Sequence, residues 1–152
     1  MDKSSETDQD GTIISQSDMS EISGKSVVLA VTQEDESQAF TNLFTEMDLQ
    51  VQYASSGAEI LQLLEDHPTH LLVMDMQMPD IHAWKMISKV REIEHLRDLP
   101  ILIITDQASL GMTVAKVDYL TRPVSIARLR QNIWRTLNQG TASDDVTSLD
   151  ES

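Results

Sequence analysis

From residue 26 onward, short apolar runs of strand length alternate with stretches in which apolar residues recur every three or four positions. Ser26-Val27-Val28-Leu29-Ala30-Val31 is a continuous, β-branched-rich run, the pattern of a strand buried on both faces. Behind the acidic start Glu34-Asp35-Glu36, the spacing of Phe40, Leu43, Phe44 and Met47 predicts an amphipathic helix. Gln50 to Ala54 reads as a second strand, and Ser56-Gly57-Ala58-Glu59 as a capping box ahead of Ile60, Leu61, Leu63 and Leu64. Pro68 ends that helix. Leu71-Leu72-Val73-Met74 is the next buried strand and closes on Asp75; Trp84, Ile87, Val90 and Ile93 then mark a third helix. Pro100 to Ile104 is the most apolar strand and ends on Thr105, Val117 to Thr121 is the fifth, and a last helix is predicted from about Ser125 to Leu137.

Strands alternating with helices at this rhythm imply an α/β domain, a parallel sheet covered by helices on both faces. Right-handed crossovers bring the carboxyl ends of all the strands to one edge, where open sheets of this kind bind ligands. Thr32, Asp75, Thr105 and Arg122 fall at those ends. Four polar side chains are thus predicted to converge.

Composition narrows the function. At 152 residues the chain is sized for one core, and the absence of cysteine excludes disulfides and thiolate metal sites. No apolar run has the length that spans a bilayer, and the polar, acidic start is unlike a secretion signal, so a cytoplasmic protein away from membranes is expected. The net charge of −14 is unevenly placed: residues 1–24 carry six acids against Lys3, and residues 140–152 carry four acids and no base. Three segments follow: a disordered acidic tail over 1–24, a folded domain over 25–139, and a second disordered acidic tail over 140–152. Such tails repel phosphates, so direct nucleic-acid binding is not expected.

Leu71-Leu72-Val73-Met74-Asp75-Met76-Gln77-Met78-Pro79-Asp80 closely resembles the segment around the phosphoacceptor aspartate of response-regulator receiver domains. Pro100 to Thr105 resembles the strand ending in that family's hydroxyl residue, and Asp118-Tyr119-Leu120-Thr121-Arg122-Pro123 the strand ending in its lysine–proline pair. The resemblance spans about residues 26–138. It implies a flavodoxin-like three-layer αβα sandwich with five parallel strands in the order 2-1-3-4-5. It also implies two-component or phosphorelay signalling, in which a histidine kinase passes a phosphoryl group to the aspartate. An acidic pair holding Mg²⁺, the hydroxyl and the lysine normally assist.

Carried over residue by residue, the resemblance puts Asp75 at the phosphoacceptor position and Thr105 at the hydroxyl. Arg122 replaces the lysine, with a planar guanidinium suited to pairing with Asp75. Pro123 falls where the family commonly has a cis peptide. The acidic pair falls on Thr32 and its neighbours Val31 or Gln33, none of them a carboxylate, so with Gln77 they form a vestigial metal pocket. No cofactor is expected, and Mg²⁺ weakly at most. Asp106 adds a negative charge beside the place a phosphate would take. Thr105 and Arg122 are also closer in sequence than in the family, by more than one helical turn, so the helix between the fourth and fifth strands is expected to be short or absent.

Tyr119 matches the family's switch aromatic, and Trp134 on the last helix is a candidate partner anchor as well as a packing residue. The four histidines lack partners at ligand spacing, and no glycine-rich phosphate loop is present. These observations favour a non-enzymatic, atypical receiver acting mainly as a protein-interaction module. Its partners would be a histidine kinase, another signalling protein or a second copy of itself. The alternatives are a functional phosphoacceptor at Asp75 and, remotely, an unrelated flavodoxin-like binding protein or enzyme.

Overall fold

The computed structural model describes residues 22–106 and 115–149, with side chains described as far as residue 138. Five parallel strands make one sheet: β1 (Ser26–Ala30), β2 (Gln50–Tyr53), β3 (Leu71–Asp75), β4 (Ile101–Thr105) and β5 (Val117–Thr121). Between and after them come α1 (Glu34–Glu46), α2 (Gly57–Asp66), α3 (Ala83–Glu92), a 3₁₀ turn over Glu94–Leu96, and α4 (Ile126–Leu149). The sheet order is β2-β1-β3-β4-β5, as the resemblance implies.

The apolar runs explain why three of the strands are buried on both faces. Successive side chains of a strand point to opposite sides. Val27, Leu29, Leu71, Val73, Leu102 and Ile104 therefore pack under Phe40, Phe44, Leu129 and Ile133 of α1 and α4. Their neighbours Val28, Ala30, Leu72, Met74, Ile101 and Ile103 pack under Ile60, Leu64, Met86 and Val90 of α2 and α3. Register is set along the centre of the sheet, where Asp75 stands opposite Ile104 and Thr105 opposite Thr121.

Local contacts fix the loops. Ser56 caps α2 by accepting from the Glu59 amide, but Glu59 reaches back to Ser55, one residue before the cap, so the predicted box closes a residue early. Asp80, beyond β3, accepts from the amides of Gly57 and Ala58 at 2.7 and 3.2 Å. Chiefly through the Gly57 amide, its carboxyl is held below the ordinary range. Arg91 donates to the carbonyls of Leu96, Leu99 and Ala115, tying the end of α3 to the approach to β5.

Two boundaries differ from the sequence reading. Ile22, assigned to the N-terminal tail, is fully buried in the α1–α4 core, and the Gly24 amide donates to the carbonyl of Asp48. An isoleucine one turn ahead of β1 has apolar surface to bury, which outweighs the polar composition around it. At the other end α4 continues to Leu149, over residues expected to lack structure. No proline interrupts residues 138–149, and an interior glycine such as Gly140 costs a helix only about 1 kcal/mol. The rest of both tails (1–21 and 150–152) and the segment 107–114, where a short helix or none was expected, lie outside the described residues.

Candidate functional site

The carboxyl edge of the sheet brings the predicted residues together. Asp75 ends β3, Thr105 ends β4, Arg122 follows β5, and Thr32 lies two residues beyond β1. Asp75 and Thr105 are each 3% exposed, buried polar groups at the end of strands that are otherwise wholly apolar. The Arg122 amide donates to the Thr105 carbonyl at 2.8 Å, continuing the β4–β5 ladder one residue and aiming the guanidinium inward. The Arg122–Pro123 peptide is cis, as the resemblance implies.

Both oxygens of Asp75 are engaged. Oδ2 accepts from the backbone amide and from the hydroxyl of Thr32, each at 2.6 Å. Oδ1 is paired with Nη2 of Arg122. The same guanidinium is gripped from α1 by Glu36: Nε donates to Oε1 and Oε2 at 3.1 and 3.0 Å, and Nη2 donates to Oε1 at 2.8 Å. Nη1 reaches the exposed Asp106 at 3.3 Å. Burial disfavours the Arg122 charge, but the hydrogen bonds and charges of Glu36 and Asp75 more than offset it and hold the guanidinium above its ordinary pKa. One cation thus serves three carboxylates.

A cavity of about 390 Å³ opens over this cluster, lined by the acceptor, hydroxyl and cation positions Asp75, Thr105 and Arg122 and by Thr32, Gln33 and Gln77. Met76, His82, Trp84 and Asp106 complete its wall. The Gln77 amide group donates to the Met78 carbonyl. His82 caps α3 through Nδ1, which accepts from the Trp84 amide. Tyr119 stays out of this lining; its ring meets Trp84 at 6.0 Å between centroids, tilted by 55°. Its buried hydroxyl finds no hydrogen-bond partner among the described residues, and burial followed by the charge of Asp118 pushes its pKa up. Trp134 is half-buried against the α1–α4 core, on the far side of the sheet from Trp84.

Glu36 was read from sequence as one of three acids at a helix start. Its placement follows from helical spacing: four residues before the buried Phe40, it shares the inward face of α1, whereas Glu34 and Asp35 are exposed. The signal was available in that i, i+4 relation to Phe40.

Magnesium favours octahedral oxygen coordination with one or two carboxylates. Here the positions of the family's acidic pair offer Thr32 with Val31 or Gln33, and no carboxylate. Thr32 spends its hydroxyl proton on Asp75, and the guanidinium covers the other Asp75 oxygen. Among the described residues no group of three His, Asp or Glu side chains is placed to hold a metal ion. The donor set does not fit the family's ion.

Known proteins give the frame for this geometry. The sensor histidine kinase TmoS of Ectopseudomonas mendocina is 28% identical over 122 residues, 77% of this chain but 12% of that protein. The polar-differentiation response regulator DivK of Brucella ovis is 25% identical over 114 residues, 72% of this chain and 93% of that protein. Against several longer curated relatives the chain spans between about a tenth and under half of their length. The receiver domain of a sensor histidine kinase from Pseudomonas aeruginosa PAO1, solved with magnesium coordinated in its active-site cleft, superimposes with a TM-score of 0.67. It is 20% identical and covers 76% of this chain and 98% of that one. No described helix is long and apolar enough to cross a membrane. Receiver domains are signalling modules that engage histidine kinases and other signalling proteins, and an unrelated binding protein or enzyme is set aside by the match of residues 27–134 to the family's model. The chain belongs to the response regulator receiver domain family.

Proposed function

We propose that this chain is an atypical receiver that works as a protein-interaction module in two-component signalling, without steady-state phosphorylation of Asp75. The observation that carries the reading is the double engagement of the Asp75 carboxylate, by Thr32 on one oxygen and by Arg122 on the other. Phosphoryl transfer needs a free carboxylate oxygen as nucleophile and positive charge beside the incoming group. Arg122 supplies a charge, but Glu36 and Asp106 have already spent it, and they leave the cluster with a net charge of −2. An incoming phosphoryl donor is repelled rather than drawn in. The partner is a histidine kinase, another signalling protein or a second copy, met through protein surface rather than nucleic acid.

The test is direct. The full chain is incubated with a small acyl phosphate and Mg²⁺ and weighed intact, beside Asp75→Asn. No phosphate adduct is expected on either. A single adduct on the wild type that vanishes in Asp75→Asn would establish the second reading, a phosphoacceptor receiver, which the retained, adjacent burial of Asp75 and Thr105 favours.

A further inference from the structure

We infer that the Arg122 guanidinium is the resident counter-ion of this pocket, bridging Asp75 and Glu36 and supplying from the lysine position the positive charge that a bound divalent cation would otherwise bring, and that Glu36 is the positioning residue that keeps it there. The inference deepens the reading of an unphosphorylated receiver and rests on it. Nη2 of Arg122 is shared by one oxygen of Asp75 and one of Glu36, so a single positive centre bridges two carboxylates from different elements. That is the arrangement a small divalent ion would impose, built from nitrogen instead. Glu36 adds direction: its two oxygens both accept from Nε, and one of them also accepts from Nη2, a fork-to-fork pairing that fixes the plane of the guanidinium. Counting side-chain atoms alone, Arg122 is 15% exposed, Glu36 12% and Asp75 4%, so water screens the pairing poorly. A lysine at this position could bridge the two oxygens through its single ammonium, but with no second nitrogen it could not grip both oxygens of Glu36 or fix a plane. Arg122 at the lysine position, Thr32 beside Asp75 and Glu36 on α1 then fit one charge arrangement, in which the positive charge belongs to the chain.

Removing the guanidinium should uncover two facing carboxylates and create affinity for a divalent cation. Mn²⁺ is the probe, read by quenching of Trp84 in the cavity wall; the chain carries Trp134→Phe so that one tryptophan reports. The unsubstituted pocket should show no saturable quenching. Arg122→Gln should bind Mn²⁺ at least about tenfold more tightly, as expected when two carboxylates replace one. Adding Glu36→Ala to Arg122→Gln should abolish the gain. Because Arg122→Gln weakens the fold, Mn²⁺ should also raise its Tm while leaving the wild type unmoved. Equal Mn²⁺ affinity with and without Arg122, or a gain that survives the loss of Glu36, overturns the inference. The positioning role has its own readout in the intact pocket. The Nε–H of Arg122, seen by NMR, should exchange slowly with solvent in the wild type and at least about tenfold faster in Glu36→Ala. Unchanged exchange would refute the positioning role of Glu36. A phosphate adduct on the wild type would instead overturn the proposed function, whatever the Mn²⁺ result.

Discussion

Opposite members of the buried ion pair should differ sharply in what their loss costs. In Arg122→Gln, Asp75, Glu36 and Asp106 remain as three negative charges with no cation among them, and Asp75 is 3% exposed. Two carboxylates that share one guanidinium nitrogen lie about 4–5 Å apart, which at an effective dielectric of 20 is about 4 kcal/mol of repulsion. Removing one partner of a buried pair costs about 3–5 kcal/mol by direct measurement in other proteins, the same loss seen from the other side, so the two figures are not added. Asp75→Asn behaves differently. The amide oxygen still accepts from Thr32, Arg122 keeps Glu36 and Asp106, and the cluster falls from −2 to −1. Its stability should stay within about 1 kcal/mol of wild type. Urea denaturation followed by circular dichroism measures both. With a slope of about 1.5 kcal/mol per molar for a domain of this size, Arg122→Gln should lower the midpoint by about 2–3 M. The reasoning is refuted if Asp75→Asn costs as much as Arg122→Gln, for then Arg122 is not the charge that keeps the carboxylates buried.

Gly57→Ala tests the junction of α2 with the loop after β3. A Cβ there would run into Cγ2 of Ile81 and touch Cε of Met86 at 3.0 Å. The overpacking, about 1–3 kcal/mol, should exceed the roughly 1 kcal/mol gained by removing a helix glycine, so calorimetry should show a lowered Tm. His70 tests a pH dependence. Its Nδ1 accepts from the Ser26 amide at 2.9 Å, and burial followed by the charge of Lys25 holds its pKa below the usual value of 6.5. The unfolded chain therefore takes up the proton first as pH falls, so this contribution is complete above pH 6.5 and is lost progressively below it, down through the folded pKa. His70→Asn, whose side-chain oxygen can take over the bond, should show a smaller fall in urea midpoint between pH 7 and pH 5; an identical fall would show that His70 carries none of it.

The sheet was legible because its three central strands are apolar on both faces and its helices are striped, two periods that one sequence displays without reference to anything distant. Asp75, Thr105 and Arg122 could be named together because strand ends in a parallel sheet share an edge. Glu36 was missed because its role depends on the reach of a side chain from a different element, and an acidic helix start explains the same residue without it. Ile22 was missed for a similar reason: a single apolar residue in a polar stretch has no period to betray it. The extended α4 shows the reverse case, in which polar composition concealed residues that contain nothing to end a helix.

Arg91 has a consequence for how this domain tolerates change. Its guanidinium donates to the Ala115 carbonyl at the approach to β5, and the Ile101 amide donates to the Lys116 carbonyl one residue later. The final strand is therefore clamped into alignment at its entrance, by groups that belong to α3 and β4. Substitutions, insertions or deletions within residues 107–114 should leave Arg122 in its seat, because its position is measured from the clamp onward. The buried charges at the end of β5 are thereby made independent of how the chain reaches the clamp.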